Sequence, residues 1–122
     1  MRHLEEDLQI KCVNWFNLQH PDMLLHHSPN GGKRNAREAA RFKEMGTLSG
    51  FPDLFIAKIK IIDLGDGFEF IPGLFIELKS EKGTLTENQK KIHKQLEKEG
   101  YHVAICRNFE EFVEIVEKYL EN

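Results

Sequence analysis

A chain of 122 residues, 40% hydrophobic and 30% charged, has the length for one core and not for two, so a single domain over residues 1–122 is expected. No run approaches the roughly 18 apolar residues that cross a bilayer, and Met1 to Asp7 lacks the apolar centre of a secretory leader, so no membrane contact and a cytoplasmic location are expected. The formal charge of −3 excludes a uniformly basic surface but hides a polarised one: Lys33 to Lys43 holds five basic residues against Glu38, and Glu110 to Asn122 holds five glutamates against Lys118.

In chain order, Leu8, Cys12, Trp15 and Phe16 recur at helical spacing and predict an amphipathic helix from Leu4 to about Gln19, ended by Pro21-Asp22. Met23 to His27 reads as a short strand. Ser28-Pro29-Asn30-Gly31-Gly32 is a dense turn signal, after which Asn35 is placed to cap a helix beginning at Ala36. Leu54 to Ile62 alternates and is rich in β-branched residues, Asp63 to Gly67 is a turn, and a return strand runs from Phe68 to Lys79 with a candidate break at Pro72-Gly73. Thr86-Glu87-Asn88-Gln89 fits a capping box for a helix that stops at Gly100. Tyr101 to Cys106 is a short buried strand, and Asn108 caps a last helix striped by Phe109, Phe112, Val113, Val116 and Leu120.

The order α-β-α-β-β-α-β-α predicts an α/β fold, a mixed β-sheet flanked by helices. The stretch from Phe75 through the third helix to Cys106 has the length of a right-handed crossover, so its two strands should be parallel. Cys12 and Cys106 lie far apart in apolar segments and read as reduced core residues. Adjacent histidines such as His26-His27 point to opposite strand faces and make a poor chelating pair.

Two features carry chemistry. In Phe75-Ile76-Glu77-Leu78-Lys79 the period of two puts Glu77 and Lys79 on one face of a strand that otherwise reads as buried, where charge is costly unless paired or bound to metal. Asp53 opens the partner strand, and counted outward from Gly65 both Asp53 and Glu77 lie 12 residues away, so a regular hairpin would set them opposite each other. Two carboxylates with the Leu78 backbone carbonyl suit a hard cation, Mg²⁺ or Mn²⁺, and Lys79 could orient or deprotonate a water or stabilise a phosphorane. The alternative is an ordinary ion pair between Glu77 and Lys79 with Asp53 capping a turn.

Taken together with Glu5 and Gln9, Pro29 to Arg34, Met45-Gly46, Gly50 to Leu54, Gly83 to Gln89, Gly100-Tyr101 and Cys106-Arg107, these motifs make the chain resemble the VRR-NUC branch of the PD-(D/E)XK nucleases, in its stand-alone phage and bacterial form. The resemblance implies a restriction-endonuclease-like fold and a metal-dependent DNA endonuclease acting on branched DNA such as four-way junctions, or on duplex, as a homodimer. It implies metal ligands at Asp53, Glu77 and the Leu78 carbonyl, with Glu5 reaching the metal directly or through water. Lys79 would be the catalytic lysine, and Gln89 a residue near the site. Glu6 and Asp7 adjoin Glu5, so that match can slip by one residue. Of the arginines that name the family's last element, only Arg107 is present.

Other readings stay open. Gln89 can serve the capping box, the site or both. Asn30, Gly31, Gly32, Lys33 and Arg34 can be a turn with solvated charges or, with Arg37 and Arg41 on one helix face, a DNA-binding segment. The competing functional class is a catalytically silent DNA-binding module of the same fold.

Overall fold

The computed structural model describes residues 4–29 and 35–121. Helix α1, Leu4–Gln19, buries Cys12 and Phe16, one turn apart on the face that meets the sheet, and carries Glu5, Glu6 and Asp7 in its first turn, where the helix dipole favours acids. Strand β1, Leu25–His27, follows. Helix α2, Ala36–Glu44, starts at a complete capping box, with Glu38 N donating to Asn35 Oδ1 at 2.8 Å, yet buries none of its residues. The hairpin region forms β2 (Leu54–Ile56), β3 (Lys60–Asp63), β4 (Phe68–Ile71) and β5 (Leu74–Leu78). Then come α3 (Glu87–Lys98), β6 (His102–Cys106) and α4 (Phe109–Leu120).

The main sheet has the order β1-β2-β5-β6. Its first three strands are antiparallel neighbours, whereas β6 runs parallel to β5 across the α3 crossover, as its length predicts. Leu54, Ile56, Leu74, Ile76, Leu78, Ala104 and Cys106 point to one side and pack against Cys12 and Phe16 of α1 and Phe112, Val116 and Tyr119 of α4. Both cysteines are free in this core, and burial pushes each thiol up to about 12. The opposite side carries Glu77, a cluster of edge-to-face and tilted rings from Phe51, Phe55, Phe75 and Tyr101, and α3. The sheet is thus mixed and covered by helices on both faces.

The two long hairpin strands expected from the sequence are each divided, giving six strands among the described residues instead of four. Residues 57–59 separate β2 from β3, and Pro72 and Gly73 separate β4 from β5, so one arm holds an extra residue. Pro72 has no amide hydrogen for a ladder, and the Phe55 ring lies where a Cβ on Gly73 would come within 2.6 Å of it. The Ala57 amide still donates to the Leu24 carbonyl at 3.0 Å, extending the β1–β2 ladder by one residue before the break. Beyond this break β3 and β4 form a separate two-stranded ribbon. Lys60 anchors it by donating to the carbonyls of Lys118, Tyr119 and Glu121 at the end of α4. No helix among the described residues is long and apolar enough to cross a membrane.

Candidate active site

Leu54 pairs with Ile76 in the β2–β5 ladder, so the next residues outward, Asp53 and Glu77, meet at the end of the sheet. The backbone of Asp53 is held by the Ser28 amide, which donates to its carbonyl at 2.9 Å, and His27 Nδ1 lies 3.1 Å from the same oxygen. The Asp53 carboxylate accepts the Leu78 amide at 2.7 Å. Continued one step, the same register sets Leu78 against Pro52, which has no N–H to give. Because the amide and carbonyl of a strand residue face the same edge, the Leu78 carbonyl lies on the Asp53 side with no ladder donor from Pro52.

A cleft of about 470 Å³ opens at this point, and Glu5, Asp53, Glu77, Lys79 and Gln89 all line it. Glu5 comes from the first turn of α1, where its Oε2 accepts the Ser80 amide at 3.2 Å, and among the three consecutive acids it is the one that reaches the cleft wall. The opposite wall comes from α2, through Ala39, Phe42 and Lys43, and from the loop at Thr47 to Phe51. That loop is pressed against the start of α3: Gly50 has φ +89°, and a Cβ there would lie 2.7 Å from the Asn88 carbonyl carbon. Only glycine combines this conformation with this approach.

Helix α3 delivers two side chains to Glu77. Gln89 completes the Thr86 capping box, its Oε1 accepting the Thr86 amide at 2.9 Å, while its Nε2 donates to Glu77 Oε2 at 3.3 Å. Capping and site contact therefore coexist in one amide. One turn further on, His93 Nε2 lies 3.1 Å from Glu77 Oε1, with the histidine 7% and the glutamate 2% exposed. Burial, and then the neighbouring Asp53, push the Glu77 carboxyl up to about 9 against the opposing pull of Lys79. Burial lowers the His93 pKa, opposed by Glu97 and Asp53.

A divalent cation fits this donor set. Ionised together, the two adjoining carboxylates carry more negative charge than Lys79 alone offsets, and two carboxylates, a carbonyl and water are what Mg²⁺ takes. Among the described residues no three His, Cys, Asp or Glu side chains gather as a ready cage, so the fit rests on Asp53, Glu77 and the Leu78 carbonyl.

The model of the VRR-NUC domain matches residues 3–110. The chain belongs to the VRR-NUC domain family. This is a nuclease family, and a nuclease-type function follows for the chain. No curated protein matches the sequence. Among solved structures, one described as a VRR_NUC domain protein is 29% identical and superposes with a TM-score of 0.75 over 95% of this chain and 87% of its own. The mixed α/β architecture is shared with that neighbour.

Within the VRR-NUC match, Arg107 is a clamp: its Nη1 donates to the carbonyls of Ser80, at 2.8 Å, and Gly83, closing the loop that follows Lys79. Asn30, Gly31, Gly32, Lys33 and Arg34 lie outside the described residues. Arg37 and Arg41 are exposed on α2 but do not line the cleft; the helix turns Ala39, Phe42 and Lys43 inward instead. Residues four apart share a helix face, so Arg37 and Arg41 face away together. Sequence reasoning missed Lys43 and His93. For His93 the available signal was its spacing of four from Gln89, which puts both on one face of α3.

Proposed function

We propose that the cleft hydrolyses phosphodiester bonds in DNA with Mg²⁺ or Mn²⁺ held by Asp53, Glu77 and the Leu78 carbonyl, and by Glu5 through water. The observation that carries this reading is Glu77, a carboxylate 2% exposed, set beside Asp53 in a cleft that Lys79 also lines. A fold gains nothing from burying one acid against another, whereas a cation between them offsets the repulsion. When bound, such a cation lowers the pKa of a coordinated water and offsets charge on the phosphate.

The chain's own residues supply the rest. Lys79 donates to the attacking water or to the phosphoryl oxygen on which charge gathers. The first turn of α3, with Thr86 and Gln89 at the cleft wall, turns the positive end of its dipole toward an anionic substrate. Lys43 lines the cleft on the α2 side and offsets phosphate charge there; Arg37 and Arg41, on the outward face of α2, would meet phosphates beyond the cleft, and Lys33 and Arg34 add to the basic charge of the same stretch of sequence.

Branched DNA, such as a four-way junction, and a twofold homodimer complete the proposal, since two related sites can cut two strands symmetrically. The exposed ribbon face with Ile61, Phe68 and Phe70, each 54–60% accessible, supports a second copy as the partner, because it is apolar and therefore unsuited to phosphate.

The test incubates the protein with labelled four-way junction, flap, duplex and single-stranded DNA in Mg²⁺, Mn²⁺ or chelator, beside Asp53→Ala and Lys79→Ala. Cleavage confined to metal-containing reactions and lost in both variants is expected. Cleavage in chelator, or unchanged in the variants, overturns the mechanism, and tight binding with no cleavage by the unaltered protein favours the silent module.

A further inference from the structure

The two carboxylate oxygens of Glu77 are engaged by different side chains of the same helix: Oε1 by His93 Nε2 at 3.1 Å and Oε2 by Gln89 Nε2 at 3.3 Å. Gln89 is itself oriented, because its Oε1 is occupied by the Thr86 amide, which leaves its nitrogen to face Glu77. His93 has no such second task in the capping box. It is 7% exposed on the face of α3 that lies against the sheet, where an apolar side chain would pack without the cost of burying a polar ring. The terminal torsion of a glutamate is broad and roughly twofold. One hydrogen bond leaves the carboxylate free to rock, whereas two from a single rigid helix, one from the Gln89 amide and one to His93 Nε2, which donates to the ionised carboxylate in its Nε2–H tautomer, hold both its tilt and its plane. Four lone-pair positions on the carboxylate are more than these two contacts use, so the rest can turn to Asp53, its neighbour at the end of the sheet.

We propose that His93 is a positioning residue that holds Glu77 in the orientation in which it and Asp53 share a divalent cation, so that metal affinity depends on a side chain that does not touch the metal. The inference rests on the reading of Glu77 as a metal ligand given above. Partners of this kind, when removed, commonly weaken metal binding by about 10- to 100-fold.

The experiment measures Mn²⁺ binding to the full chain without DNA, from the free-ion EPR signal, for the unaltered protein, His93→Leu and His93→Gln, with thermal unfolding of each in chelator. A glutamine amide nitrogen reaches the place of Nε2, whereas leucine offers no donor. The expected result is a Kd for Mn²⁺ raised about 10- to 100-fold in His93→Leu, with unfolding in chelator unchanged or raised, and recovery of most of the affinity in His93→Gln. If the leucine variant does not fold, His93→Asn, whose amide stops short at the Nδ1 position, replaces it, and loss in Asn with retention in Gln supports the inference. Equal Mn²⁺ affinity in all variants overturns it while leaving the metal site intact, as does an equal loss in Leu and Gln, which assigns the effect to packing. An unaltered protein that binds no Mn²⁺ overturns the metal reading and this inference with it.

Discussion

The hairpin between Asp53 and Glu77 is two structures built from one pair of strands. Its inner half, β2 with β5, lies in the main sheet, and every residue of β5 is buried. Its outer half, β3 with β4, is a ribbon whose Phe68, Glu69 and Phe70 are exposed. Both halves carry large apolar side chains, Ile61, Phe68 and Phe70 of the ribbon among them, so the presence of such residues does not separate them. What does is cover: α1 and α4 lie over one face of the inner half and α3 over the other, while the ribbon is tied at one side to the end of α4 through Lys60. Burying Glu77 is possible only in the covered half, where α3 brings two hydrogen-bonding side chains to it. The site thus sits where the sheet is most enclosed, and the exposed half is left for contact with something else.

The largest effect expected from this contrast is on the enclosed half. Ile76→Ala, which empties a fully buried position, should destabilise the fold by about 2–5 kcal/mol, read from urea unfolding. A loss below about 1 kcal/mol would mean that the inner sheet is less tightly packed than its burial indicates.

A smaller effect should come from Glu77 itself, through pH. Its folded-state value of about 9 lies above the ordinary 4.5, so the folded chain keeps a proton that the unfolded chain releases. Below pH 4.5 both states are protonated and the group costs nothing; as pH rises from there to about 9 the stability is progressively lost. In chelator, the melting temperature should therefore fall across that window more steeply than in Glu77→Gln. Mg²⁺, which binds the ionised form, should flatten the slope. Identical slopes for the two proteins in chelator would contradict the burial argument.

The smallest effect belongs to the ribbon. Phe70→Ala, at a position 58% exposed, should change unfolding of the monomer by no more than about 0.5 kcal/mol. A loss comparable to that of Ile76→Ala would erase the distinction between the two halves. In sedimentation, the same variant should shift the protein toward monomer if the ribbon face joins two copies.

Much of this could be read in the sequence because it is local. The capping boxes at Asn35 with Glu38 and Thr86 with Gln89, and the Asn108 cap, are hydrogen bonds between residues three apart, which the residue types alone determine. The parallel pairing of β5 and β6 followed from crossover length. The opposition of Asp53 and Glu77 came out of a count about Gly65, but by compensation. The ribbon pairs Asp63 with Phe68, so its turn is centred between Gly65 and Asp66, and the extra residue in 57–59 restores the inner register. No periodicity reveals such an offset, since the first arm keeps alternating through it at Lys58, Ile59, Lys60 and Ile61.

By itself, then, the sequence determined the helices with their caps, the parallel crossover and the carboxylates and lysine that meet at the end of the sheet, because each depends on spacing along one or two neighbouring segments. Only the tertiary structure decided the division of the hairpin, the choice of Glu5 among three acids, the inward turn of Lys43 in place of Arg37 and Arg41, the Arg107 clamp and the contact of His93 with Glu77. These depend on how α1, α2 and α3 lie on the sheet, and that is settled by burial and close packing between segments far apart in the chain, for which no short-range pattern is written.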